Sequence, residues 1–344
     1  THIFVAQSPG AGRLQLTRGD KSCTAPQFSP DSQSVFFLSS RDGKRNLYRI
    51  PLSGGEAEKL TEVKADINAF RVSPDGRRVA FTAPEEDRKL EQRRKEKTDF
   101  RVIDDAPRNH FLWVVGLNGA QPVEPSRCVK APHHVGAFDW SPDSRYIAFE
   151  RRSRPEVDEA RHADIAEVDV ATGSIRELAV SSATESGPRY SPDGRYLLIE
   201  RSAPKARMLD GQRLVLLSRD SGAFRELPPT ANEQPSVIGW SPDSRSILFS
   251  EAQGTRAAIF RLPVDGPVES VFAPAAGTIG LVRANTAATH FGFVRQSPTQ
   301  APEAYLLTAN SAQPVPVSAA NSDVAIPPID RKSTRLNSSH ANIS

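Results

Sequence analysis

The sequence predicts an all-β protein made of repeated four-stranded antiparallel units, and two observations lead to this prediction. The tetrapeptide Ser-Pro-Asp-(Ser/Gly) occurs five times among the 344 residues, beginning at Ser29, Ser73, Ser141, Ser191 and Ser241. Each copy follows an apolar or aromatic residue and precedes a short apolar run, such as residues 35–38 after the first copy. Self-similarity at a period of about 45–50 residues is the signature of a repeat architecture.

The tetrapeptide has the chemistry of a turn. Proline presets φ for the first central turn position, aspartate suits the second, and glycine or serine closes the turn. Each copy therefore predicts a reversal between a strand that ends at the preceding residue and a buried strand. In the first repeat, a second hairpin at residues 41–44 and the Gly54-Gly55 turn bring the total to four strands. Repeated four-stranded antiparallel units are the blades of a β-propeller.

Counting the repeats predicts a seven-bladed β-propeller whose first blade is incomplete. The expected blades lie near residues 1–20, 27–62, 70–126, 137–180, 188–229, 237–273 and 279–318. The last of these has lost the Ser-Pro-Asp signature. The propeller is expected to occupy residues 1–325. Residues 326–344 are polar and without periodicity, and they resemble the translation of a sequencing adaptor, so we expect a disordered, non-native tail.

Composition and charge argue against several classes of protein. The 44 basic and 41 acidic residues give a net charge of +3, so nothing favours nucleic acid as a partner. The sequence contains no apolar run of about 18 residues, so no membrane span is predicted. Two cysteines, Cys23 and Cys128, are too few for a disulfide framework. We expect a cytoplasmic protein, with the periplasm or secretion left open.

A charged run at residues 85–97 accounts for the longest spacing between two copies of the repeat. It contains good helix formers, with acids early and bases late, and one apolar residue, Leu90. We interpret it as a solvated helical or mobile insertion. A docking surface for a neighbouring domain is the alternative.

Few residues qualify as site candidates on chemical grounds. The five repeat serines occupy equivalent turns, so none has a unique base that would activate it. His133-His134 would point to opposite faces of a strand, which favours loop or surface histidines over a metal site. A packed or capping role is expected for His110, and packing between blades for Trp140 and Trp240.

Four charged residues are the candidates for contacts with a substrate. Asp104 and Asp105 follow the charged run and are expected to form a solvated acidic turn, with a peptide amino terminus as the alternative partner. Arg151 and Arg201 occupy matching positions after the apolar strands of successive repeats. They predict either a solvated basic rim or a surface that steers peptide carboxylates.

The order of several short segments resembles a known family. These segments are residues 1–4, 16–31, 50–57, 99–102 and 110–115, together with Ser297-Pro298, Pro302-Glu303, Tyr305-Leu306 and Asn321 near the other end. Over about residues 1–325 the chain resembles the propeller of the prolyl oligopeptidase family of serine peptidases, in its acylaminoacyl-peptidase-like branch.

This resemblance implies a function for the whole protein and an accessory part for this chain. In the family, an α/β-hydrolase domain follows the propeller and carries its nucleophile in a G-x-S-x-G turn. The present sequence has no such pentapeptide, so we expect no catalytic residue, cofactor or metal within it. The resemblance implies a lid that admits short peptides to the chain's own, missing hydrolase domain and excludes folded proteins.

Two other hypotheses about the function remain open. One is a non-enzymatic scaffold of the TolB type, which would bind protein partners through its face loops. The other is a sugar- or lyase-type propeller enzyme with its site in the central channel. An in-frame hydrolase domain in the natural gene would favour the peptidase reading.

Overall fold

A computed structural model describes residues 1–6, 12–87, 92–93, 95–98, 108–118, 122–203, 211–311, 313–324 and 326. Within this part the chain forms 26 strands, one short 3₁₀ helix, Val157–His162, and helical residues at 92, 93 and 95. The all-β prediction is confirmed.

Twenty-four strands form six four-stranded antiparallel sheets, each in chain order, which we number blade 1 to blade 6. Blade 1 contains β3 (Cys23–Phe28), β4 (Ser34–Ser39), β5 (Asn46–Pro51) and β6 (Glu58–Lys59). Blade 2 contains β7 (Ala69–Val72), β8 (Arg78–Ala83), β9 (Phe111–Gly116) and β10 (Ser126–Arg127). Blade 3 contains β11 (His134–Trp140), β12 (Tyr146–Arg152), β13 (Asp164–Asp169) and β14 (Ile175–Ala179).

The second half of the chain repeats this arrangement. Blade 4 contains β15 (Glu185–Tyr190), β16 (Tyr196–Ser202), β17 (Gln212–Ser218) and β18 (Phe224–Glu226). Blade 5 contains β19 (Ser236–Trp240), β20 (Ser246–Gln253), β21 (Arg256–Pro263) and β22 (Glu269–Phe272). Blade 6 contains β23 (Thr278–Ala284), β24 (His290–Ser297), β25 (Gln300–Thr308) and β26 (Val315–Pro316). The four-stranded propeller blade predicted from the repeat is therefore confirmed.

The predicted count of seven blades is wrong, because the described chain forms six. The segment before Cys23 contributes only β1 (Phe4–Ala6) and β2 (Arg13–Gln15), which pair antiparallel as a two-stranded sheet. We call these two strands the N-terminal strand pair. Ile3 and Leu16 pack beside it into the core of blade 1. These two strands make only half of a four-stranded blade. Counting the segment before Cys23 as a blade therefore gave one blade too many.

The hydrophobic core lies between the blades. Each of five clusters of buried side chains combines residues of two neighbouring blades, from blades 1 and 2 to blades 5 and 6. Phe81, Phe149 and Phe249 occupy the same position in the second strands of three blades and are fully buried. Burying each contributes on the order of 1.5–3 kcal/mol. The repeat is therefore stable only when its neighbours cover both faces.

The charged insertion lies between β8 and β9. Gln92, Arg93 and Lys95 are helical, and the amide of Glu96 donates to the carbonyl of Gln92 at 3.0 Å. The predicted helical character is thus confirmed at Gln92, Arg93 and Lys95, whereas residues 85–87 have no regular secondary structure. No described helix is long and apolar enough to cross a membrane.

Candidate functional site in the central channel

The first strands of the blades form the inner edges of the propeller. The first strands of blades 3 and 4 contact each other, as do those of blades 5 and 6. The indole nitrogen of Trp140 donates to the carbonyl of Arg71 at 3.0 Å, and that of Trp240 donates to the carbonyl of Arg189 at 3.3 Å. Each tryptophan thus ties its first strand to that of the preceding blade, in the inter-blade position predicted for it. Blades arranged radially in this way surround a central channel.

One position on each first strand supplies a ring of residues around this channel. It lies two residues before the serine that opens each turn, or before the equivalent Asn285 in blade 6. We call these residues the channel ring: Gln27, Arg71, Asp139, Arg189, Gly239 and Arg283. Four of the six are charged, which is unusual for the inner strands of an all-β core.

The charged members of the ring interact across blades. The guanidinium of Arg71 lies 3.7 Å from a carboxylate oxygen of Asp139, whose other oxygen accepts a 3.0 Å hydrogen bond from the amide of Tyr190. The pKa of Arg189 is lowered by burial first, then by the positive charge of Arg71, and further by Arg283. The charges of Arg71 in blade 2 and Arg283 in blade 6 thus act on Arg189 in blade 4, and the opposite charges of Asp139 and Glu200 act against them by raising its pKa.

Two glutamates on second strands lie close to the ring. Burial raises the pKa of both Glu150 and Glu200, and the charge of Glu150 raises that of Glu200 further. The amides of Ala137 and Gly187 act in the opposite direction and lower the pKa of Glu150. A Cβ placed on Gly136 would lie 2.5 Å from the Glu150 carboxylate, so this carboxylate lies against the first strand of blade 3. These glutamates therefore join the first strands of blades 3 and 4.

The two arginines predicted from the repeat have partners within their own blades. Arg151 lies 2.6 Å from Glu177 and 3.8 Å from Asp164. Arg201 pairs at 3.2 Å with the fully buried Glu185, and its guanidinium lies 4.6 Å from the centre of the Phe224 ring. Both side chains thus brace the strands of one blade. Asp104 and Asp105, the other two candidates, lie outside the described residues.

His134 differs from the expectation of a loop or surface residue, whereas His133 lies in the loop before the strand. His134 begins β11 and is buried, and burial lowers its pKa to about 4. Its Nδ1 accepts a 3.2 Å hydrogen bond from the amide of His110, whose ring lies 5.2 Å away. His110 is therefore packed, as predicted. No group of three or more His, Cys, Asp or Glu side chains with the geometry of a metal site occurs in the described part of the chain.

The repeat serines have the predicted turn role. In each turn the serine hydroxyl donates to the aspartate two residues later, for example from Ser141 to Asp143 at 2.5 Å and from Ser73 to Asp75 at 2.6 Å. The same hydroxyl oxygen accepts the amide five residues later, at 2.9 Å from Arg78 to Ser73. Both functions of the hydroxyl are thus used by the turn.

Sequence reasoning missed the channel ring, although a signal for it was present. When the repeats are aligned on the turn serine, the position two residues earlier reads Gln, Arg, Asp, Arg and Gly. Three charged residues at one position of otherwise apolar or small strands indicate a shared polar environment. The next position holds an apolar or aromatic residue in every copy, and it predicts only the end of a strand before the turn: Phe28, Val72, Trp140, Tyr190 and Trp240.

Comparison with known proteins shows that the chain is similar to part of a peptidase. No family model matches it. The dipeptidyl-peptidase 5 of Porphyromonas gingivalis is 25% identical over 277 residues, covering 72% of this chain and 40% of that protein. The chain therefore spans less than half the length of this relative.

Solved structures share the fold at lower identity. An acylaminoacyl peptidase of Pyrococcus horikoshii superposes with a TM-score of 0.65 at 17% identity, covering 92% of this chain and 47% of that one. An oligogalacturonate lyase of Vibrio parahaemolyticus also gives 0.65 at 17% identity, covering 92% and 84%. At this identity both likenesses concern the fold alone.

The fold is that of a β-propeller, and over 72% of its length the chain is similar in sequence to part of a peptidase. This similarity agrees with the resemblance carried by its residues.

Proposed function

We propose that this propeller controls the access of peptides to the α/β-hydrolase domain of a serine peptidase. The observation that supports the proposal most directly is the channel ring on the first strands of the blades, where Arg71 of blade 2 lies 3.7 Å from Asp139 of blade 3. A channel lined by long charged side chains passes an extended peptide more readily than a folded domain. The propeller would thereby select substrates by size.

The proposal assigns the chemistry to a domain outside this sequence. The chain has no G-x-S-x-G pentapeptide, and the hydroxyls of its repeat serines serve the turns. A nucleophile needs a base oriented by a third group. The partners of the propeller in this scheme are its own hydrolase domain and short peptides or acyl-peptides, which that domain would hydrolyse through an acyl-enzyme.

The test uses the natural full-length protein that contains this propeller. Short chromogenic dipeptide and acyl-peptide substrates are compared with a folded protein that carries the same cleavage sequence in a surface loop. We expect cleavage of the short substrates and protection of the folded one. Efficient cleavage of both would contradict access control, and cleavage of neither would contradict the peptidase assignment.

Channel variants make this test specific to the propeller. Replacing Arg71, Arg189 and Arg283 together by glycine removes three long side chains, and blade 5 already has Gly239 at this position. We expect hydrolysis of long peptides to rise relative to short ones. The control is the triple variant Arg176→Gly, Arg213→Gly, Arg225→Gly, which removes arginines from third and fourth strands. An equal change in both triple variants would contradict the proposal.

A further inference from the structure

We propose that a cleft between blades 1 and 2 binds a phosphate group through Lys44, Arg45 and Arg108. The inference does not rest on the proposed function, and it assigns a ligand to residues outside the channel ring. We call this site the basic cleft and define it by its six charged lining residues: Lys44, Arg45, Lys64, Asp66, Asp87 and Arg108.

Three segments of the chain bring these residues together around one cavity of about 230 Å³. The loop between β4 and β5 supplies Lys44 and Arg45. The connection between blades 1 and 2 supplies residues 64–66. The two ends of the insertion between β8 and β9 supply Asp87 and Arg108. The cleft is therefore built from segments that are far apart in the sequence.

Hydrogen bonds to backbone carbonyls hold the two guanidiniums of the cleft. Nε of Arg45 donates to the carbonyl of Ile67 at 2.6 Å, which joins the β4–β5 loop to the connection between the blades. Nη1 of Arg108 donates to the carbonyl of Glu85 at 2.8 Å, which joins the two ends of the insertion. Each guanidinium keeps further N–H groups that these bonds do not use.

The cleft carries positive charge that the protein does not pair. Four of its six charged side chains are cationic and two are carboxylates. Lys64 lies 3.7 Å from Glu86. The other three cations, Lys44, Arg45 and Arg108, form no ion pair with any residue that the structure describes. Three positive groups therefore line one small cavity without a paired carboxylate.

The cleft between blades 3 and 4 shows the opposite arrangement. Three arginines line it as well, namely Arg145, Arg176 and Arg219. Arg145 lies 3.0 Å from Asp169, and the other two lie 3.0 and 2.7 Å from the buried Glu167. The positive charge of that cleft is matched inside the protein. An anion is thus required only in the basic cleft.

His110 also lines the basic cleft and senses its charge. Burial lowers the pKa of His110 first, and the positive charges of Arg108 and Arg45 lower it further. Both guanidiniums therefore act on one point of the lining. Asp66 offsets them in part, but one of its oxygens already accepts a 2.7 Å hydrogen bond from the amide of Arg45.

The arrangement of the cations favours a phosphate group over a carboxylate. Cations on three segments approach the cavity from different directions, which suits the terminal oxygens of a tetrahedral phosphate. A carboxylate has two oxygens in one plane and matches a single guanidinium fork. A phosphate group carries a charge of about −1.5 to −2 at pH 7 and can neutralise two unpaired cations. The cavity is smaller than the about 300–1,000 Å³ of pockets for drug-sized ligands, so it fits the phosphate group alone.

Isothermal titration calorimetry on the present chain tests the site at low salt. The probes are inorganic phosphate, N-acetyl-phosphoserine amide, N-acetyl-serine amide and acetate. We expect one phosphate to bind per chain, with affinity falling as sodium chloride is added, and no binding of the serine compound. Binding of the phosphoserine compound would extend the ligand to phosphate groups on larger molecules, and its failure would restrict the ligand to the free ion. No binding of phosphate, or equal binding of acetate, would overturn the proposal.

Variants locate the binding. Lys44→Gln and Arg108→Gln each remove one cation, and each should weaken phosphate binding about fivefold. Lys44→Arg keeps the charge and should bind nearly as the wild type does. The controls are Lys130→Gln, between blades 2 and 3, and Arg154→Gln, in the loop after β12, because both residues are exposed and lie outside the cleft. Equal weakening by the controls would show that the ion responds only to overall charge, which would contradict the site.

Thermal melting without phosphate separates binding from folding. Lys44 makes no side-chain hydrogen bond or ion pair within the described residues, so Lys44→Gln should melt as the wild type does. Arg108→Gln loses the bond to Glu85, and if it melts earlier, Lys44→Gln carries the test. Unchanged phosphate affinity in both variants would exclude the basic cleft. Access control is decided separately by the hydrolysis assay.

Discussion

The hydroxyl of Ser144, in the turn of blade 3, accepts a 3.0 Å hydrogen bond from the backbone amide of Asp75, in the turn of blade 2. Ser144 closes its Ser-Pro-Asp-Ser turn with φ at +58°, a left-handed conformation that is costly for a residue with a side chain. The same contact joins Ser244 of blade 5 to the amide of Asp193 of blade 4 at 3.1 Å. In blades 2 and 4 the closing residue is glycine. In the turns of blades 3 and 5, the serine that closes the repeat therefore also ties its turn to that of the preceding blade.

Ser144→Ala should lower the free energy of unfolding by about 1 kcal/mol, because alanine keeps the left-handed strain and loses the hydrogen bond. Ser144→Gly should cost less, since glycine relieves that strain. The control is Ser32→Ala in blade 1, where φ is the same +58° and no hydrogen bond of the hydroxyl occurs in the described structure. Urea denaturation measures all three. Equal losses for Ser144→Ala and Ser32→Ala would show that the contact between turns contributes nothing.

The turn aspartates should make the protein sensitive to acid. The hydroxyl of Ser241 and the amide of Arg245 hold the pKa of Asp243 below its ordinary 3.8. A carboxyl group with a depressed pKa stabilises the fold above its unfolded pKa, and this contribution is lost as the pH falls through the folded value. Asp243→Asn should therefore lower stability at neutral pH and flatten the decline below pH 3.8. Urea midpoints across the acid range measure this, and parallel curves for variant and wild type would contradict it.

The half-buried Glu150 and Glu200 should act in the opposite direction and in a different pH range. Burial raises the pKa of Glu150 and Glu200 above the ordinary 4.5. Each therefore favours the folded state below its unfolded pKa, and this advantage disappears as the pH rises through the folded value. Glu200→Gln should be more stable than the wild type at neutral pH and approach it below pH 4.5. A gain that is equal at all pH values would indicate packing instead of ionisation.

The blades could be predicted from the sequence because each turn is formed by residues that are close together in the chain. Pro, Asp and a closing Gly or Ser act within four residues, so five copies located five blades. Blade 6 keeps the turn geometry although it lacks the motif. Asn285 replaces the serine, and its side-chain oxygen accepts a hydrogen bond from the amide of His290 at 2.9 Å. Ala288 closes that turn with φ at +53°. The predicted number of blades was too high because the N-terminal strand pair was counted as a blade. The sequence pattern of two strands does not show whether the other two strands of a blade are present.

The residues of the channel ring could not be predicted from the sequence, because bulges interrupt the alternation of side chains along the first strands. Register shifts occur shortly before the ring residue in five blades, for example between Ser186 and Arg189 and between Gly280 and Arg283. Alternation with a period of two assigns a face only in an uninterrupted strand. The bulges therefore decide which residue faces the channel, and they depend on the neighbouring strand. The partners of Arg151 and Arg201 likewise come from other strands of their blades.

The contact between Gly136 and Glu150 gives a stringent test of the packing beside the channel. A Cβ at residue 136 would lie 2.5 Å from the Glu150 carboxylate, so Gly136→Ala must displace that carboxylate and should cost about 1 kcal/mol of folding free energy. Glu150→Ala removes the obstructing carboxylate. The double variant should therefore be less destabilised than the sum of the single variants, which urea denaturation of all four proteins measures. Gly239→Ala is the control, because an added Cβ there meets no atom within 4 Å. Additive losses, or a loss at Gly239 equal to that at Gly136, would show that Glu150 does not lie against the first strand of blade 3.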